Sequence, residues 1–230
     1  MRLLTGNSSD FQKLTDRAIP PQTSIVSRYR HAVRFADVPA QDRLLKRYLQ
    51  ETSMGEGERI VPLMTYQDVE IDILDETSLM ATGTLKSVDG CLTTAFSRLE
   101  GATRITFESG GNTGSALTLY GQQAGMDTFF FCPLANIDLL DSRIFTPSNA
   151  HLLAVEDRGL VKELTSLFAR ETGIRHVPEK TWRNAAAMFR GLFILEHLLA
   201  GRRYDWLAQT VSAAFGPIGI YSVLKHFLPE

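Results

Sequence analysis

The chain has 230 residues, of which 44% are apolar and 22% charged, the balance of a globular domain, or two small ones, with a substantial core. A formal net charge of −2 and scattered basic residues exclude nucleic acid or an acidic membrane as the expected partner. Cys91 and Cys132 lie far apart in no metal-ligand spacing and read as reduced core residues. The first residues lack the apolar core of a signal peptide. The most apolar segment, "AAAMFRGLFILEHLLAG", is interrupted by Arg190 and Glu196 and reads as a buried helix rather than a membrane span. A cytoplasmic protein is expected.

Residues 1–60 are polar and punctuated by "IPPQ" and "SMGEGER", which reads as an arm around a core. Within them "RLLKRYLQET" has helical spacing. A helix is predicted over 87–99, where Val88, Leu92, Ala95, Phe96 and Leu99 recur at three and four. The strand "TRITFE" follows, then a glycine-rich loop, then a helix over 113–124 ended by Gly125. "DTFFFCP" is a continuous apolar strand of the kind buried on both faces. "HLLAV" is another strand and "GLVKELTSLFARETG" another helix. Beyond Pro178 come a helix near 184–200, a strand "DWLAQTVS", and a last helix, "PIGIYSVLKHFL", opened by proline. Strand and helix in alternation predict an α/β fold with a parallel sheet covered by helices.

The loop "ESGGNTG" (108–114) strips side chains from the backbone between a strand and a helix. Backbone N–H groups and the helix N-terminus can converge on an anion there, although a simple turn explains such a loop equally well. Neither nucleotide fingerprint fits. Gly114 is followed by Ser115 and Ala116 instead of a P-loop lysine, and glycines at 110, 111 and 114 miss the Rossmann spacing. Upstream, Lys86 stands in the threonine/glycine turn of "MATGTLKSVDG", at the start of a helix that can favour its neutral amine.

Together these segments resemble, in order, the pyridoxal-phosphate enzymes of fold type II, and threonine synthases most. "SMGEGERIVPL" is similar to their L-G-E-G-x-T-P-L stretch, and "TGTLKS" to the T-G-S-F-K-D segment of the cofactor lysine. "SGGNTG" resembles the S-S/G-G-N-T loop, and "AFGPIG" the cradle of the cofactor phosphate. The resemblance covers about residues 50–228. It implies two three-layer α/β/α domains with mainly parallel sheets, divided as 1–80, 81–175 and 176–230. It also implies a C-terminal part beyond Glu230, with the partner of the pyridine nitrogen.

By resemblance, Lys86 holds pyridoxal 5'-phosphate as a Schiff base and transfers protons, and Asn112 bonds the ring hydroxyl oxygen. Ser109, Gly110, Gly111 and Thr113 grip the substrate carboxylate. Phe215, Gly216 and Gly219, flanked by Ser212 and Ala213, hold the phosphate. Two departures stand out: Ser87 follows the lysine where aspartate is usual, and "SAAFGPIG" has alanine and phenylalanine in place of glycines. The implied activity is elimination or replacement at the β or γ carbon of an amino acid, phosphorylated or not, by a homodimer or with a completing chain. The alternatives are a non-catalytic relative acting through protein contacts and a phosphate-ligand binder without covalent chemistry. His31, His151, His176, His197 and His226 form no ligand spacing. Glu108 reads as a solvated strand-end carboxylate, and Trp182 and Trp206 as packing anchors.

Overall fold

The computed structural model describes residues 2–3, 10–20, 24–34, 38–55, 57–77, 82–177, 183–211 and 214–228. In chain order the elements are β1 (Arg2–Leu3), α1 (Phe11–Leu14), α2 (Ile25–Arg28), β2 (Val33–Arg34), α3 (Pro39–Thr52), β3 (Arg59–Tyr66) and β4 (Val69–Asp75). Then come α4 (Lys86–Leu99), β5 (Arg104–Glu108), α5 (Asn112–Gln123), β6 (Asp127–Pro133), β7 (Ala150–Val155), α6 (Val161–Thr172), β8 (Arg175–His176), α7 (Arg183–Leu199) and α8 (Phe215–Phe227).

β7, β6, β5 and β8 form a four-stranded sheet in that order, every pairing parallel. α5 packs against β5 and β6 with α4 beyond it, and α6 also packs on the sheet. The centre of the sheet is apolar because Ile105, Phe107, Phe130 and Cys132 are buried around Leu117 and Met126. The Phe107 and Phe130 rings stack at 5.6 Å. α5 can lie this close only because Gly114 has no side chain: a Cβ there would fall 2.0 Å from the Phe130 ring.

A larger core joins α1, α2, α3, α4, α7 and α8 through Phe11, Tyr29, Leu49, Phe96, Phe193 and Phe227. Phe11, Leu14, Ile25, Tyr29, Leu45 and Leu49 of the N-terminal stretch belong to this core. α2 is tied to α7 by an ion pair of Arg28 with Glu196, whose Oε2 accepts from Arg28 Nε at 2.8 Å and from the Tyr29 hydroxyl at 2.5 Å. Burial alone would raise the Glu196 pKa, but Arg28 and Tyr29 outweigh it and hold the carboxylate below its ordinary range.

The α/β class stands, with two local corrections. β3 and β4 form an antiparallel hairpin that the sequence reading did not anticipate. Gln67 and Asp68 turn it with positive φ at both positions (47° and 65°), the backbone of a two-residue hairpin turn. Of the strand expected at "DWLAQTVS" (205–212), residues 205–211 have no strand partner among the described residues, and Ser212 lies outside them. Trp206 there is 89% exposed and anchors no packing. Trp182 lies outside the described residues. No described helix is long and apolar enough to cross a membrane.

Candidate functional site

The site is built on the turn before α4. Lys86 is the first residue of that helix, and its backbone N–H donates to Thr84 Oγ1 at 3.2 Å. Thr82 Oγ1 meets Thr84 Oγ1 at 3.0 Å and Ser87 Oγ at 2.9 Å, while the Thr82 N–H also donates to Ser87 Oγ. Ser87 is fully buried. It thus ties down the turn that presents the lysine, which gives the serine found after Lys86 a structural reason.

A cavity of about 190 Å³ lies on one side of this turn, lined by Lys86 and Asp89 of α4, Arg190 of α7, Gln209, and Phe215 and Gly216 of α8. The structure thus brings Lys86 to the N-terminus of α8, nearly 130 residues away in sequence. Ala214 caps α8 with φ 59°, a left-handed conformation that glycine adopts more easily. This lets Phe215 begin the helix without strain of its own.

A second cavity of about 460 Å³ lies on the other side, lined by Thr82, Thr84, Asn112 and Ser115 among others. Asn112 is the first residue of α5 and exposed. The Gly111 N–H donates to Ser109 Oγ at 3.2 Å, and the Gly110 carbonyl accepts from Asn136 Nδ2 at 2.7 Å. A Cβ at Gly111 would meet nothing within 4 Å, so the bare backbone at that position faces open space.

Not every expected residue converges. Ser109, Gly110, Gly111 and Thr113 line neither cavity, and Thr113 is buried. Gly219 faces α7, where a Cβ would lie 2.4 Å from that of Ala187, so its lack of a side chain serves close helix packing. Gly216 does line the cavity, but the Gln209 amide lies against it, its Nε2 2.2 Å from where a Cβ would stand. Ser212 and Ala213 lie outside the described residues. Glu108 is not simply solvated: its Oε2 lies 2.7 Å from His176 Nε2, with both side chains largely covered. Among the described residues no group of histidine, cysteine, aspartate and glutamate could hold a metal.

Sequence reading missed Asp89, Arg190 and Gln209. Arg190 had a signal: a cation within the apolar stretch of α7, three and four residues from Ala187 and Ala186 on the same face. Behind it sit Glu76 at the end of the hairpin, its Oε1 2.5 Å from Arg190 Nε, and Glu58, fully buried. Burial first, then the Glu76 carboxylate, push the Glu58 pKa well above its ordinary value, while Arg190 pulls it down. A side-chain hydrogen bond with Glu76 adds to the same upward shift.

No protein-family model matches the chain, and no curated protein does. Solved structures do match. A cysteine synthase from Entamoeba histolytica superposes with a TM-score of 0.61 at 17% identity, over 84% of this chain and 57% of that one. A PLP-bound threonine synthase from Brucella melitensis matches at 0.58 and 16%, over 99% and 51%. An O-ureido-L-serine synthase matches at 0.61 and 15%, over 77% and 58%. The chain has the fold of the fold type II pyridoxal-phosphate enzymes. It spans 51% to 58% of the length of these three. In that fold type II frame, the motif-bearing turn before α4 and the N-terminus of α8 share one cavity.

Proposed function

We propose that the protein is a pyridoxal-phosphate enzyme, located in the cytoplasm, that eliminates or replaces a group at the β or γ carbon of an amino acid. One observation carries this reading: Lys86, the residue matching the cofactor lysine, lines the same cavity as the N-terminus of α8, where the phosphate motif begins. These residues suit a ligand with an aldehyde at one end and a phosphate at the other. An amine stands at the first, and a helix N-terminus without a side-chain cap stands at the second.

Lys86 would hold the cofactor covalently and then carry a proton to or from the substrate's α-carbon. The Thr82–Thr84–Ser87 hydroxyls tie down the backbone turn that presents it. The bound cofactor supplies an electron sink for the pair left at the α-carbon. Asn112 would hydrogen-bond the ring oxygen, and the open Gly111 backbone, with Ser109, Gly110 and Thr113, would receive the substrate carboxylate. Both roles require the α5 N-terminus to act across the Thr82–Lys86 turn.

A threonine synthase-like preference, for a phosphorylated amino acid, is supported by the "GEGERIVPL" stretch and by the match to threonine synthase along nearly the whole chain. The working unit in this reading is a homodimer or a complex with a completing chain. A second reading, a relative that binds without catalysis, is favoured by the Gln209 amide lying against Gly216. Titration with pyridoxal 5'-phosphate separates the two. The enzyme reading expects a saturable yellow absorbance that Lys86→Ala abolishes, and turnover of O-phosphohomoserine ahead of O-acetylserine. A colourless, inert protein that still binds phosphate would support the second reading.

A further inference from the structure

The cradle at α8 is poor in backbone donors. Pro217 has no N–H, and the Ile218 N–H is spent on the Ala214 carbonyl at 3.2 Å. A dianion placed there needs donors from elsewhere. Arg190 supplies them by position: it lines the same cavity, and its side chain is only 11% exposed. Its Nε forms a close ion pair with Glu76 Oε1, without hydrogen-bond geometry. Among the described residues its two terminal nitrogens have no hydrogen-bonding partner, although a guanidinium presents those N–H groups in a fixed fork.

The charges behind it are balanced. Arg190 and Glu76 cancel, and Glu58 adds no charge while it keeps its proton. With that pair cancelled, Lys86 balances Asp89 on the cavity wall, and the N-terminus of α8 adds the partial positive charge of the helix dipole. What favours an oxyanion over a cation there is the set of donors, a guanidinium and an ammonium beside a helix N-terminus.

We propose that Arg190 is an anion-binding residue of this cavity, taking the phosphate group of the ligand through its terminal nitrogens, with Glu76 fixing the guanidinium from behind. The inference rests on the proposed function for the identity of the ligand but not for the binding of phosphate itself. Arg190 replaces, from α7, donors that a glycine-rich loop would offer from its backbone. It also links the hairpin to the site, because Glu58 and Glu76 flank β3 and β4.

The test uses inorganic phosphate, pyridoxal 5'-phosphate and pyridoxal with the full chain. Arg190→Met alone strands Glu76 in a covered site, so it is paired with Glu76→Gln; Arg190→Lys keeps the charge and loses the fork. Circular dichroism checks that each variant folds. The Met/Gln pair is expected to weaken inorganic phosphate, measured by calorimetry, roughly 10- to 100-fold, and pyridoxal 5'-phosphate by a similar factor. Pyridoxal, which lacks the phosphate, should bind unchanged. Arg190→Lys should fall between, and it decides the matter if the double variant does not fold. Equal phosphate affinity in wild-type and folded variants overturns the proposal, as does wild-type protein that binds no phosphate. If phosphate binding depends on Arg190 but Lys86 never captures pyridoxal phosphate, Arg190 stands and the enzyme reading falls. Covalent capture by Lys86 with phosphate affinity indifferent to Arg190 gives the reverse.

Discussion

Glu58 is a buried acid whose folded-state pKa lies well above its ordinary value near 4.5. A raised carboxyl pKa means that the folded state favours the proton. The stabilisation is complete below about pH 4.5 and is lost as pH rises toward the folded value. Glu58→Gln keeps the shape and the neutral charge without the titration. Its stability relative to wild type should therefore grow from about pH 5 to about pH 8, by at most about 1.4 kcal/mol per pH unit. Urea denaturation across that range reads it directly; parallel curves for the two proteins would show that Glu58 is charged in the fold. Glu196 works the other way. Its depressed pKa adds stability above its ordinary value, and that contribution fades as pH falls.

The glycines separate by element into those that serve packing and those that do not. Gly219 lets α7 and α8 touch, so Gly219→Ala forces a methyl to within 2.4 Å of Ala187. It should cost about 1–3 kcal/mol. Gly111 has open space in front of it, and Gly111→Ala should leave stability within about 0.5 kcal/mol. Thermal melts compare the two; a large loss at Gly111 would mean that the loop is structural. The same contrast explains what was legible in the sequence. β5, α5, β6, β7 and α6 could be read because apolar runs and capped amphipathic helices mark a sheet buried on both faces. The β3–β4 hairpin could not, since its turn is Gln-Asp without glycine and its faces are largely exposed. Residues 205–211 have the apolar pattern of a strand, but a strand needs a partner that pattern alone does not supply. The motif residues Lys86, Asn112 and Gly216 were legible. Arg190, Glu58 and Gln209 matter through contacts between distant segments, which spacing along one segment cannot show.

At the scale of the molecule, a parallel sheet and a helical core meet around the turn that carries Lys86, with one cavity on each side of it. The fold is shared with pyridoxal-phosphate enzymes that match at 17% identity or less, so the chemistry rests on the site alone. The most direct test is to incubate the protein with pyridoxal 5'-phosphate, reduce with borohydride, and locate the adduct by peptide mass spectrometry. The account predicts one pyridoxyl group, on Lys86, and none in Lys86→Ala. An adduct on another lysine, or none in the folded wild-type protein, would contradict it.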